Sequence, residues 1–200
     1  MRMTTDVIDQ YTVLHLLKVK GFASAESVAA SLGTDAAAVE SLLQQAVSEE
    51  LVKHREGRLS GYTLTPTGRA RHGELRADAL SDDARRSVTA AYEAFLAPNR
   101  AFKELTTAWQ LRDETADSEA LLGRLAELDD EVGAVISTAA EGQQRFTHYR
   151  TRFTAALERL RGGDDSAFAR PMSDSYHDVW MELHEDLIST LGHERTEADE

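Results

Sequence analysis

Cationic side chains crowd one short stretch of this chain. Between Lys53 and Arg76 stand Lys53, Arg55, Arg58, Arg69, Arg71 and Arg76 against Glu56 and Glu74, a local balance of +4 in a chain whose formal net charge is −13. Guanidinium and ammonium groups at that density suit phosphate, through charge and, for Arg, through paired hydrogen bonds. Just upstream lie Thr34, Ser41, Gln44 and Gln45, short polar side chains without charge. Glutamine can meet an adenine edge with its amide, and a hydroxyl can touch a base or a phosphate. Residues 34–50 contain no Lys or Arg, so a bidentate contact to guanine cannot come from there. Thr34, Ser41, Gln44, Gln45, Lys53, Arg55, Arg58 and Arg69 are therefore candidate contacts to double-stranded DNA. Such binding would depend on the cationic loop and fall steeply with salt.

A second constellation mixes aromatic and polar groups. It comprises Asn99, Trp109 and Arg112 with Tyr176, His177, Trp180 and His184. On a helix His177, Trp180 and His184 share one side, being three and four residues apart. Two imidazoles beside an indole can line a pocket for a planar or anionic small-molecule effector, and Arg112 can neutralise its carboxylate or phosphate. The same aromatics can equally be core residues with a satisfied N–H. His177 and His184 are two turns apart, about 10.5 Å along a helix axis. That is too far to share one ion, so no metal and no cofactor is expected.

Helices and a hairpin must position these groups. Val7, Ile8, Tyr11, Leu14 and Leu17 have helical spacing, and Gly21 ends that helix. Ser24 suits the N-cap of a helix over 25–32, with Gly33 as the turn. Thr34 or Asp35 caps a third helix to about Glu50, with Val39, Leu42, Leu43 and Ala46 inward. Residues 51–55 and 60–64 predict two strands joined by Glu56-Gly57-Arg58-Leu59. Thr65 then caps a helix with Pro66 at its first position, where the missing N–H costs nothing.

That order is the plan of a winged helix-turn-helix. The segment Tyr62, Leu64, Thr65, Gly68 and Arg69 resembles the "Y-x-L-T-x-x-G-R" passage of MarR- and PadR-type winged-helix transcription factors. The likeness covers about 65 residues. It implies a DNA-binding regulator with Arg55 and Arg58 at the wing tip, against phosphate or the minor groove.

From Ser81 on the pattern is almost wholly helical. One helix runs over 82–96 and is interrupted by Pro98, with a continuation through Phe102, Leu105, Trp109 and Leu111. Asp117 or Ser118 opens a long helix whose Leu121, Leu125, Leu128, Val132, Val135 and Ala139 form a heptad seam. Phe146, Tyr149, Phe153, Leu157 and Leu160 continue a similar seam, which Gly162-Gly163 stops. Asp164–Pro171 is a loop or short helix. Asp174 starts a last amphipathic helix through Leu191, and an acidic tail follows. The seams can close within one chain or between two.

The segment Asp174–Leu187, with Tyr92, Phe95, Asn99 and Trp109-Gln110-Leu111-Arg112, resembles a region of actinobacterial proteins found within or beside pyruvate phosphate dikinase-like enzymes. The likeness covers most of the chain. It implies a region that senses or presents a compound connected with phosphoenolpyruvate metabolism. It does not carry catalysis over, because the phosphohistidine and nucleotide-grasp domains of those enzymes are absent from the sequence.

Bulk properties narrow the classes further. Residues 1–80 hold nine Lys and Arg against ten Asp and Glu, while residues 81–200 hold thirteen against twenty-five. DNA binding must therefore use a local patch and keep the acidic half away from phosphate. The lack of cysteine excludes disulfides, thiolate zinc sites and cysteine nucleophiles. No signal-peptide run opens the chain and no stretch approaches a membrane span, so a cytoplasmic location is expected. Eighteen Arg against four Lys, with abundant Ala, suggests a GC-rich bacterial genome. There is no phosphate-binding glycine loop and no Gly-x-Ser-x-Gly. Paired carboxylates such as Asp82-Asp83 sit at helix starts, where the macrodipole suffices as their reason.

The expectation is a mainly α protein: a winged helix-turn-helix with a two-stranded wing over 1–80, an antiparallel helical bundle for dimerisation and effector sensing over 81–192, and an acidic tail over 193–200. The expected function is a homodimeric, DNA-binding transcription regulator, not an enzyme. The alternative is a protein-interaction or small-molecule-sensing module whose winged helix meets no DNA.

Overall fold

The computed structural model describes residues 8–112 and 118–193. Val7, Asp117 and the acidic tail after His193, for which the sequence carries expectations, lie outside those residues. The described chain is mainly helical with one two-stranded antiparallel sheet. It divides into two units, residues 1–81 and 82–200.

The first unit follows its capping signals. Helix α1 (Gln10–Lys20) starts at Asp9, whose carboxylate accepts the Thr12 N–H at 2.8 Å. Helix α2 (Ala25–Leu32) is capped by Ser24 and ends at Gly33, which takes the left-handed conformation. Of the two candidate caps for α3 (Ala36–Ser48), Asp35 fills the position. Its Oδ1 accepts from Ala37 at 2.8 Å and from Ala38 at 3.4 Å. The helix stops at Ser48, short of Glu50, because Glu50 turns the chain with φ of 59°.

Strands β1 (Val52–Arg55) and β2 (Gly61–Leu64) pair with Val52 opposite Leu64 and Arg55 opposite Gly61. On its other edge β2 is held by Ala23, which exchanges backbone hydrogen bonds with Tyr62 at 3.1 and 2.8 Å. Helix α4 (Pro66–Ala79) follows Thr65, whose hydroxyl accepts the Gly68 N–H at 2.9 Å. Leu14, Val28, Val39, Leu43 and Tyr62 share one buried core.

The second unit holds α5 (Asp82–Leu111), α6 (Ser118–Gly142), a 3-10 turn (Gln144–Phe146), α7 (Thr147–Arg161), the short α8 (Ser166–Ala169) and α9 (Tyr176–Leu191). Pro98 does not interrupt α5, contrary to the sequence expectation. A proline inside a helix loses one ladder bond and crowds the carbonyl four residues back, at about 3 kcal/mol. The helix stays tied down on both sides of it by Phe95, Phe102 and Leu105, all in the core. Packing thus outweighs the local penalty.

The last helix begins later than expected. Ser175 and Asp178 form a reciprocal capping box. Asp174 sits outside the helix with φ of 51° and accepts from Arg152 at 2.5 Å. The seam residues of α6, from Leu121 to Ala139, are buried within the single chain.

Candidate functional site

In the first unit the cationic hairpin stands outward. Lys53, Arg55 and Arg58 are exposed, and so is Arg69 in the first turn of α4. Arg55, Glu56, Gly57, Arg58 and Leu59 line an open groove of about 420 Å³ together with Phe22 from the α1–α2 connection. Leu59 is 61% exposed at its rim. His54, between the two cationic positions of β1, stacks on Tyr62 with 4.5 Å between ring centres. Its Nε2 lies 3.2 Å from the Ser60 hydroxyl.

Helix α3 is joined to the hairpin by polar contacts. The buried Tyr62 ring sends its hydroxyl to Glu40, donating at 2.5 Å. Gln44 Nε2 donates to the same Glu40 oxygen at 2.8 Å and to the Tyr62 hydroxyl at 2.9 Å. Burial first, then the hydrogen bond and charge of Glu40, push the Tyr62 phenol up to about 12. Gln45 faces elsewhere: its amide donates to Glu49 at 2.8 Å, and Glu49 also accepts from Gln10 of α1 at 2.6 Å. Ser41 is exposed, while Thr34 is half-buried and donates its N–H to Ala29 at 3.1 Å.

The motif Tyr62-x-Leu64-Thr65-x-x-Gly68-Arg69 is thereby explained residue by residue. Tyr62 reaches α3 and Leu64 fills the core. The Thr65 hydroxyl, besides capping α4, lies 2.8 Å from the Glu50 carbonyl and 3.0 Å from that of Leu51. Gly68 lets α4 approach the Leu51 backbone, and Arg69 emerges at the surface.

In the second unit the aromatic constellation comes together around α9. Trp180 is fully buried, stacks on Phe102 with 4.2 Å between ring centres, and donates its indole N–H to Asn99 at 2.9 Å. Trp109 stacks on Phe168 at 4.3 Å. Arg112 lies over the Trp109 ring at 3.9 Å and pairs with Asp165 at 2.6 Å. His184 is buried against Phe95, whereas His177 is half-buried with its ring 6.0 Å from Phe102. The indole N–H and the Asn99 carbonyl oxygen, which an effector would need, are engaged with each other. Arg112 and His177 remain at the rim.

Several buried polar groups escape the sequence pattern. Asp186 is fully buried and accepts from Arg145 at 2.6 Å and from the Tyr149 hydroxyl at 3.0 Å. Asp129 accepts from the Tyr176 hydroxyl at 3.0 Å and pairs with Arg150. Burial, then the facing carboxylate, holds the Tyr149 and Tyr176 phenols well above their ordinary range. Asp186 had one legible signal: it adjoins Leu187 and lies three residues after Leu183, on the apolar stripe of α9. In the first unit His15 and His72 are buried with Nδ1 and Nε2 3.0 Å apart. His15 was legible as a polar residue between Leu14 and Leu16.

Among the described residues no three His, Cys, Asp or Glu side chains are grouped to hold a metal ion. Among them, too, no helix is long and apolar enough to cross a membrane. No protein-family model matches the chain, and neither does any curated protein or solved structure.

Proposed function

We propose that this chain is a DNA-binding transcription regulator whose first unit is a winged helix-turn-helix of MarR/PadR-like plan. The hairpin of β1 and β2 is then the wing and α3 the recognition helix. The carrying observation is that Lys53, Arg55 and Arg58 stand exposed on a hairpin tied through Tyr62 to the polar face of α3. A duplex laid along α3 would meet Ser41 and Gln44 in its major groove, and the hairpin cations would meet phosphate or the minor groove. With no Lys or Arg in α3, phosphate attraction from the hairpin supplies most of the affinity.

The second unit then serves dimerisation and effector response, as helical domains appended to reading heads do. Because the α6 seam is buried inside one chain, pairing of two chains uses another surface. An effector reading rests on His177 and on Arg112, which would exchange Asp165 for an anionic ligand, since Trp180 and Asn99 satisfy one another.

A protein-interaction module is the competing reading. It draws on Leu59, exposed at the hairpin tip beside Phe22, and on the carboxylates Glu40 and Glu49 of the first unit. Fluorescence anisotropy of the full chain on the duplex upstream of its own gene, at low and moderate salt, separates the two. The regulator binds tightly at low salt and weakens as salt rises, and Arg55→Ala with Arg58→Ala removes most of that binding. No binding at low salt favours the interaction module.

A further inference from the structure

We propose that Gln44 is the base-reading residue of α3, and that Glu40 and Tyr62 are positioning residues that hold its amide in the orientation that reads adenine. The inference deepens the DNA-binding reading above and rests on it. The Glu40 Oε1 takes the Tyr62 O–H at 2.5 Å and the Gln44 Nε2 at 2.8 Å, and Nε2 lies 2.9 Å from the Tyr62 oxygen. A carboxylate only accepts. The nitrogen of the Gln44 amide must therefore face inward, and its oxygen faces away.

The three distances also say how many N–H bonds are used. They close a triangle with an angle of about 50° at Nε2, whereas the two N–H bonds of a planar amide diverge by about 120°. One N–H directed between the two oxygens can serve both as a three-centre bond. In that arrangement the second N–H and Oε1 are turned away from both partners. An N–H beside a C=O is the pair that meets adenine N7 and N6–H in the major groove.

The clamp is itself fixed. The Tyr62 ring is buried, His54 stacks on it, and its backbone is bonded to Ala23. Glu40 and Gln44 are one helical turn apart on α3, so the amide is held from below and from the side. Gln45 is held differently: its amide N–H goes to Glu49, which also binds Gln10 of α1, and Tyr62 plays no part. The Gln44 amide held in this way contributes one adenine-preferring position for each bound unit.

The test is selection by the full chain from duplexes with randomised positions, at low salt, followed by sequencing of bound and unbound pools. Wild type is expected to enrich adenine at one position by about tenfold over the other bases. Gln44→Ala is expected to lose that preference while its average affinity for random duplexes changes by less than about twofold, since Gln44 carries no charge. Glu40→Ala and Glu40→Gln both remove a negative charge and raise average affinity alike. Only Glu40→Gln keeps an acceptor oxygen, so only it is expected to keep the adenine preference. Adenine enrichment that persists in Gln44→Ala, binding by wild type without any adenine preference, or equal preference in the two Glu40 variants overturns the inference and leaves DNA binding standing. Failure to bind any duplex at low salt overturns both.

Discussion

Gly68 brings the first turn of α4 so close to Leu51 that a Cβ at this position would lie 1.9 Å from the Leu51 carbonyl oxygen. The obstacle is backbone, which cannot rotate aside as a side chain can. Gly68→Ala is therefore expected to destabilise the first unit by about 3 kcal/mol, by pushing α4 off the hairpin. Gly73, in the same helix, has open space around its Cα, so Gly73→Ala is expected to stabilise by about 0.5–1 kcal/mol. Denaturant titration of the two variants beside wild type checks the pair. Equal effects would show that α4 does not bear on Leu51.

Tyr62 gives the first unit an alkaline limit. Its phenol is raised to about 12, by burial and then by Glu40, against an ordinary value near 10. A group whose folded value is raised contributes stability that is whole below the unfolded value and lost as pH climbs through the folded one. The loss should therefore fall between about pH 10 and 12, and amount to at most about 2 kcal/mol. Tyr62→Phe is expected to remove this component from both the tyrosinate absorbance titration and the pH dependence of unfolding. An unchanged alkaline profile in Tyr62→Phe would show that Tyr62 does not set this limit.

The buried ion pair of Arg145 with Asp186 joins the 3-10 turn to α9. Asp186→Ala leaves a guanidinium that is 9% exposed without this carboxylate, and takes an acceptor from Tyr149. The expected cost is about 3–5 kcal/mol. Asp165→Ala removes the carboxylate from an equally short pair with Arg112 at the surface, and should cost no more than about 1 kcal/mol, because Asp165 is 66% exposed. Thermal unfolding of the two variants distinguishes the sites, and similar losses would mean that the Asp186 pair is solvated.

Much of the fold was legible because local chemistry and tertiary packing agree. Asp35, Ser24 and Thr65 are good caps and do cap. The alternation around the hairpin placed both strands to within a residue. Pro98 was misleading because its local cost, a lost ladder bond and a crowded carbonyl, is outweighed by the core contacts of α5 on both sides of it. Asp174 was misleading because aspartate is as good a cap as serine, and the capping box of Ser175 with Asp178 decides between them, while Asp174 turns to Arg152. The cationic side chains were legible from composition. The Glu40–Tyr62–Gln44 contact was not, because nothing in the local pattern of α3 says that a tyrosine eighteen residues on will fold back over it. Polar residues inside the second unit were hidden for the same reason: Asp129 and Asp186 find partners 21 to 47 positions away.

The heptad spacing of α6 admits a seam within one chain or between two, and burial distinguishes them. Leu125 and Val132 are each 0% exposed in the isolated chain, packed among side chains of the same unit. Leu125→Ala should therefore cost about 2–5 kcal/mol, as for any large-to-small change in a closed core. The loss should be the same at every protein concentration, because the α6 seam takes no part in any association step. A seam joining two chains behaves differently: the Leu125→Ala defect is partly recovered at high concentration by mass action. Unfolding midpoints of wild type and Leu125→Ala across a hundredfold range of concentration make the comparison. A Leu125→Ala defect that shrinks as concentration rises would place Leu125 between chains rather than within one.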